Sequence, residues 1–277
     1  MTTFEPGAAV APRAQIIALV RRELVRTLLG RRSLLVWLLL CLPVGIAFLR
    51  LLLLPTTLRA DVAATGRDFA EMFHVFILRF VVFFGCAGLF MNLFRGEILD
   101  RSIHYLLLAP VRRDVLVLGK FLGGLAASVL TLGGTTAVTY VLMYVAHGLG
   151  PGLGFVLSGQ GLGHLAAYLA TVVMACIGYG ALFLLAGLFF RNPLLPAVAL
   201  LGWELLSPFL PPMLKALSVS HYLASLVPVP ASLGALAIMV PPVAAWKAVV
   251  GLGALAVVAV GLAARRARTL EVSYAAE

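Results

Sequence analysis

Charged residues are scarce in this sequence: only 12% of the 277 residues are Asp, Glu, Lys or Arg, whereas 62% are hydrophobic. A soluble domain carries about a quarter of its residues as charged side chains. A soluble fold of this length could not accommodate so much apolar surface, because most of any globular surface faces water. The composition therefore excludes an ordinary soluble enzyme and predicts an integral membrane protein.

Motifs for metal binding and catalysis are also lacking. The three cysteines, Cys41, Cys86 and Cys176, form no C-x-x-C pair, so the sequence predicts neither a metal site nor a disulfide framework. It contains no H-E-x-x-H motif, no G-x-S-x-G motif and no paired acidic motif that would mark a catalytic centre. We therefore predict that the chain is not an enzyme and has no catalytic residues.

Long apolar runs are what the sequence does contain. Six of them approach the length of about 20 residues that a membrane-spanning helix needs. They predict an all-α integral membrane protein, a single domain over residues 1–277, with spans at about 33–54, 76–94, 119–146, 164–190, 193–210 and 243–264. A further apolar stretch, 223–240, contains Pro228 and Pro230. Since proline breaks helices, we predict a broken re-entrant segment there, before the sixth span.

The distribution of positive charge predicts the orientation. Lys and Arg give the chain a formal net charge of +10, and the residues cluster between particular apolar runs. Six spans with both termini in the cytoplasm place most of them inside, as the positive-inside rule expects. Seven spans would place the cluster Arg265, Arg266 and Arg268 outside, and this opposes the seven-span alternative.

An amphipathic helix is predicted over residues 14–30, before the first span. One face of it is apolar, with Ile17, Val20, Leu24 and Leu28. The opposite face is polar, with Gln15, Arg22, Glu23 and Arg26. Basic residues on the polar face suit the anionic headgroups of membrane lipids, which predicts an interfacial helix. An ordinary cytoplasmic extension is the alternative.

The loop 96–114, between the second and third predicted spans, is the most informative part of the sequence. As a helix it would carry one polar stripe at positions i, i+3, i+4 and i+7, formed by Glu97, Asp100, Arg101 and His104. Pro110 would end this helix, and Arg112, Arg113 and Asp114 would follow as a polar turn. The pattern predicts a short helix at the cytoplasmic membrane face whose charges are available to a partner. The alternative is a loop whose charges are satisfied by one another and by lipid headgroups.

This loop resembles that of the type-2 permeases of ATP-binding-cassette (ABC) transporters. Gly96-Glu97, the run 106–113 with its Pro-Val-Arg-Arg ending, and the Val-Leu-Gly-Lys of 117–120 match the family pattern in order and spacing. The N-terminal helix, the six spans and the broken segment extend the resemblance over essentially the whole chain. His104-Tyr105 departs from the pattern, since the family often has a small or acidic residue there.

The resemblance implies an exporter subunit of the bacterial inner membrane that pairs with a second permease, identical or related. Each permease would bind one cytoplasmic ATPase subunit, which binds ATP and Mg²⁺. This chain itself lacks the G-x-x-x-x-G-K-[ST] motif, so we expect no cofactor in it. Membrane lipids are the other expected partner, and nucleic acid is not expected. The residues expected to contact the ATPase are Glu97, Asp100, Arg101, His104, Arg112 and Arg113.

Two further features have open interpretations. Glu204 lies deep in the predicted fifth span, where a carboxylate is costly; it is a candidate for the translocation path or for a gate. Alternatively, it pairs with a basic residue such as Arg79. Gly119, Gly123 and Ala127 recur at four-residue spacing and predict close helix packing, within the chain or across a dimer.

Two rival functions fit the sequence less well. An ATP-independent secondary transporter or channel is expected to carry several intramembrane charges or repeated halves, and here Glu204 is the main deep charge and no repeat is evident. An intramembrane enzyme would need a convergent polar cluster, and the sequence shows no recognisable one. The transported substrate is not indicated by any residue pattern.

Overall fold

The computed structural model describes residues 12–29, 34–53, 61–99, 113–190, 192, 194–229 and 243–268. Within these ranges the regular structure is entirely helical, which confirms the all-α prediction. Five helical segments are long and apolar enough to cross a membrane: Val36–Leu53, Val62–Phe94, Arg113–Val145, Gly159–Phe189 and Ala245–Arg268.

Twelve α-helices are formed within the described ranges, and two of the long segments widen locally into π-helical turns. The α-helices are α1 (Pro12–Leu29), α2 (Leu34–Leu53), α3 (Val62–Met72), α4 (Phe83–Leu99), α5 (Arg113–Ser128), α6 (Gly134–Val145), α7 (Leu149–Leu157), α8 (Gly159–Phe189), α9 (Leu194–Leu206), α10 (Pro212–Lys215), α11 (Val219–Leu223) and α12 (Ala245–Arg268). The π-helical stretches Phe73–Val82 and Val129–Gly133 join α3 to α4 and α5 to α6.

The second membrane helix begins fourteen residues before its predicted start at 76. Its first turns are helical but contain charged residues. A prediction based on apolar runs therefore leaves these turns out. The carboxylate of Asp61 caps the helix by accepting a hydrogen bond of 2.7 Å from the backbone N–H of Val62. Phe69 and Phe73 are then buried against Tyr168, with ring centroids 4.9 and 4.7 Å away. Tertiary packing thus supports an extension that hydropathy does not reveal.

The predicted polar turn at Arg112–Asp114 is wrong in part, because Arg113 and Asp114 already belong to α5. Asp114 lies in the first turn, where an acidic side chain is favoured by the helix dipole. The connection between the third and fourth membrane helices also contains a helix that was not predicted, α7. Gly148 precedes it with a φ of +105°, a left-handed conformation that lets the chain reverse between α6 and α7.

The predicted fifth span corresponds to a shorter apolar helix, Leu194–Phe209, in which α9 tightens into a final 3₁₀ turn. Prolines at 208, 211 and 212 prevent its continuation. The predicted re-entrant segment 223–240 is described only at its start. Helix α11 ends at Leu223, a turn follows, and residues 230–242 lie outside the described ranges.

Helix α5 lies between α1 and α12, and the α4–α8 pair packs beside it. The ring of Phe90 on α4 fills the space left by Gly180 on α8, because a β-carbon at Gly180 would lie 2.5 Å from that ring. Large apolar side chains on α2 and α12 remain exposed, including Leu38 and Val257. These faces are apolar like the lipid hydrocarbon.

Candidate functional site at the basic end of the bundle

Four elements meet at one end of the bundle, which we call the basic end: α1, the last turns of α4, the first turns of α5 and the last turns of α12. The contacts among Glu23, Leu93, Asp114, Lys120 and Arg268 define it. The predicted coupling loop leaves α4 and returns to α5 at this end. The basic end is therefore where a partner bound to that loop would act.

Arg113 and Asp114 join the start of α5 to the end of α12. The Arg113 guanidinium donates hydrogen bonds to the carbonyls of Ala267, at 3.1 Å, and Arg268. The Arg268 guanidinium in turn donates two hydrogen bonds to Asp114, from Nε at 2.9 Å and from a terminal nitrogen at 2.7 Å. These contacts hold the beginning of α5 against the last described turn of α12.

We call the contacts of Arg113 and Asp114 with Arg268 the α5–α12 clamp. Removing the Arg268 side chain from this clamp is expected to change stability little. In Arg268→Gln, water can replace the lost guanidinium beside Asp114, because the pair lies at the surface, with side chains 62% and 31% exposed. We expect the free energy of unfolding to fall by no more than about 1 kcal/mol. Denaturation in mixed detergent–SDS micelles measures this, with Arg265→Gln as the matched exposed control. A loss several times larger would show that the clamp supports the whole basic end.

A second ion pair at the basic end is fully buried. The Lys120 ammonium donates to a carboxylate oxygen of Glu23 at 2.7 Å, and the two side chains are 0% and 2% exposed. The same ammonium donates to the backbone carbonyl of Leu93 at 2.8 Å and lies 5.2 Å from the ring centroid of Phe94. One charged group thus contacts α1, α4 and α5 together.

The small residues of α5 face the N-terminal helix within the same chain. A β-carbon at Gly123 would lie 2.7 Å from the β-carbon of Glu23, and one at Gly119 would lie 2.8 Å from Leu19. Ala127, one turn further along, is fully buried. The glycines therefore let α1 approach α5 closely enough for the buried ion pair to form.

The packed face of α1 differs from the predicted apolar face. Leu19, Val20 and Glu23 turn toward α5, whereas Ile17 is 68% exposed. The assignment of Glu23 to the polar, headgroup-facing side was wrong. Lys120 supplies a buried counter-charge, which favours burial of a carboxylate that would otherwise remain hydrated. Arg21 and Arg22 remain exposed.

Most of the residues predicted to contact a partner lie outside the described part of the chain. Residues 100–112 are not described, and this range includes Asp100, Arg101, His104 and Arg112. The backbone of Glu97 belongs to the last turn of α4, while its side chain is not described. Arg113 is described, and its contacts are those with the end of α12.

Glu204 forms a second polar centre, at the end of α9. Its carboxylate accepts hydrogen bonds from the backbone N–H groups of Val219, at 2.9 Å, and Ser220, at 3.1 Å. The hydroxyl of Ser218 donates a third, at 2.6 Å. The carboxylate, in a side chain 3% exposed, is thus bound to the first turn of α11 and not to Arg79.

His221, in the same turn, does not offset the charge of Glu204. Burial lowers the pKa of the His221 imidazole below its ordinary value, the Lys215 charge lowers it further, and the opposing effect of the Glu204 charge is smaller. Because the unperturbed value is near 6.5, the ring is mainly neutral at pH 7. The neighbouring N–H groups and the Ser218 hydroxyl therefore stabilise the carboxylate.

The Glu23–Lys120 pair is the main feature that sequence reasoning missed. One signal was present: Lys120 is the only Asp, Glu, Lys or Arg between Asp114 and Arg191. A lone charge at the beginning of an apolar helix needs a partner, but the choice among several acidic residues depends on tertiary packing.

Comparison with known proteins gives one match. A family model described as ABC-2 family transporter protein matches residues 29–202, more than half of the chain. The matched region contains α2 to α8 and the start of α9, and it includes the predicted coupling loop and Lys120. It ends before α12 and begins after Glu23. No match was found among curated proteins.

Proposed function

This chain belongs to the ABC-2 family of transporter proteins, and we propose that it is the membrane subunit of an ATP-driven exporter. In this proposal a separate cytoplasmic subunit binds ATP and Mg²⁺ and hydrolyses ATP, and two permease chains pair around the path. The chain itself acts as a transport subunit and catalyses no reaction. Its substrate class is not indicated by the described residues.

The observation that carries the proposal is the way in which both ends of the 100–112 segment are attached to the bundle. The segment follows α4, whose end is tied to Lys120 through the carbonyl of Leu93. It returns to α5, whose first residue, Arg113, is bonded to the end of α12. A displacement of the segment by an ATPase would therefore be transmitted directly to several membrane helices.

The course of the described helices supports six crossings, with α1 and the last turns of α12 at the basic end. Successive contacts alternate between the two ends: Arg50 meets Asp68 at the opposite end, and Phe189 meets Arg266 at the basic end. Because the last turns of α12 also lie at the basic end, a six-span arrangement has one net crossing between Phe189 and Ala245. The helix Leu194–Phe209 begins that crossing. The positive-inside rule then places the basic end in the cytoplasm.

A charge reversal in the proposed coupling loop tests the site. In Glu97→Lys, we expect co-purified ATPase to fall about tenfold, equivalent to a loss of about 1.4 kcal/mol of binding free energy. The measurement is quantitative pull-down of the ATPase with the tagged chain in mild detergent. Glu71→Lys is the matched control, since Glu71 is exposed on α3, near the opposite end.

Three outcomes are informative. Loss of ATPase from Glu97→Lys but not from Glu71→Lys supports the coupling loop. Equal recovery from Glu97→Lys and the unsubstituted chain would contradict this site but leave the function standing. Absence of any ATPase from the unsubstituted chain would contradict the proposed function itself.

A further inference from the structure

The Glu23–Lys120 pair lies where α1, α4 and α5 meet at the basic end. Lys120 lies two turns into α5, Leu93 lies within two turns of the end of α4, and Glu23 lies in the second half of α1. Hydrogen bonds of 2.7 and 2.8 Å join the three through one ammonium group. The helices on both sides of the 100–112 segment are thus linked to the N-terminal helix at a single position.

Stability alone does not account for an ion pair at this position. Burial removes both groups from water, and replacing such a pair with well-packed apolar side chains is often neutral or stabilising. The glycines at 119 and 123 already allow α1 to pack closely on α5. An apolar contact would hold α1 in place but would leave the Leu93 carbonyl without this donor. The ion pair adds a directional link to α4 that apolar packing lacks.

We propose that Glu23 and Lys120 are positioning residues for energy coupling, because their pair makes α1 move as one body with the adjoining ends of α4 and α5. This inference rests on the proposed function. When the ATPase displaces the 100–112 segment, the end of α4 and the start of α5 shift together. Glu23 follows the Lys120 ammonium, so the whole of α1 follows. The exposed arginines Arg21 and Arg22 then change position at the membrane surface.

Hydrogen exchange of the N-terminal helix tests the proposal without knowledge of the transported substrate. The complete complex with its ATPase is reconstituted in lipid nanodiscs, and amide exchange of residues 12–29 is measured without nucleotide and after trapping with ATP and vanadate. For the unsubstituted chain we expect exchange rates in α1 to differ between the two states by about fivefold or more, which corresponds to a change of about 1 kcal/mol in the free energy of local opening. Equal rates in the two states would overturn the proposal.

The double variant Glu23→Leu with Lys120→Met separates positioning from packing. Its apolar pair keeps α1 docked, so we expect protection of α1 without nucleotide to be close to that of the unsubstituted complex. The nucleotide-dependent change in α1 exchange should be lost. If α1 responds as in the unsubstituted complex, the pair is only structural and the proposal is wrong.

Two single variants keep the test decisive if the double variant does not fold. Lys120→Arg retains a charged donor that can reach both acceptors, so its nucleotide response should match that of the unsubstituted chain. Glu23→Gln removes the charge that binds α1 but leaves the donor to Leu93, so its response should be reduced. The opposite pattern would overturn the proposal. Every comparison uses an assembled complex that hydrolyses ATP. A negative result would therefore contradict the role of the Glu23–Lys120 pair, whereas failure to find an ATPase would contradict the proposed function.

Discussion

Replacing Lys120 with methionine should lower the free energy of unfolding by about 3–5 kcal/mol, the range measured when one partner of a buried ion pair is removed. The variant leaves the Glu23 carboxylate buried without its counter-charge, and the Leu93 carbonyl loses a donor. Methionine has nearly the length of lysine, so packing beside Gly119 is retained and the loss reports the missing charge. Unfolding in mixed detergent–SDS micelles, followed by circular dichroism, gives the free energy.

The matched variants identify the cause of this loss. Glu23→Leu combined with Lys120→Met should recover most of the stability, since it leaves neither charge unpaired. The exchanged pair Glu23→Lys with Lys120→Glu should not recover it, because a carboxylate at position 120 would face the Leu93 carbonyl oxygen, and two acceptors repel each other. Full recovery in the exchanged pair, or a loss below about 1 kcal/mol in Lys120→Met, would contradict the buried three-way contact.

Replacing Glu204 with alanine is the second change from which we expect a large effect. The backbone N–H groups of Val219 and Ser220 and the Ser218 hydroxyl would lose their acceptor in a buried setting. An unsatisfied buried group costs about 1–3 kcal/mol, so the combined loss should reach about 3 kcal/mol or more. Glu204→Gln should lose less, because its amide oxygen still accepts from part of this turn.

This substitution also distinguishes the two interpretations of Glu204. A structural cap predicts that Glu204→Ala lowers stability and increases proteolysis of the 207–226 segment. Glu71→Ala, which removes an exposed carboxylate together with its surface interaction, is the control and should cost no more than about 1 kcal/mol. A residue of the translocation path would instead leave stability unchanged while altering ATP-driven transport. Unchanged stability in Glu204→Ala would therefore contradict the structural account.

The membrane helices were largely predictable because lipid imposes a simple requirement on the chain. The first span, predicted at 33–54, is Leu34–Leu53, and the last, predicted at 243–264, is Ala245–Arg268. Errors occur where helix continues beyond the apolar run. Helix α3, which contains charged residues, is stabilised by the Asp61 cap and by the aromatic packing of Phe69. A hydropathy pattern shows neither of these contacts.

The basic end was predictable only in part. The four-residue spacing of small residues on α5 predicted close packing, but the identity of the packed helix depends on the tertiary fold. The amphipathic pattern of α1 misassigned Glu23, because helical periodicity treats a carboxylate as solvent-facing unless a counter-charge is known. Lys120 is 97 residues further along the chain. Long-range pairing of this kind is outside the reach of local pattern analysis.

The most direct test of the central claim is affinity purification of this chain in mild detergent, after expression with its genomic neighbours, followed by an assay of ATP hydrolysis. The account predicts a stoichiometric cassette ATPase in the eluate and hydrolysis of ATP by the purified complex. A clean preparation with no co-eluting ATPase and no hydrolysis would contradict an ATP-driven exporter and favour an ATP-independent transporter.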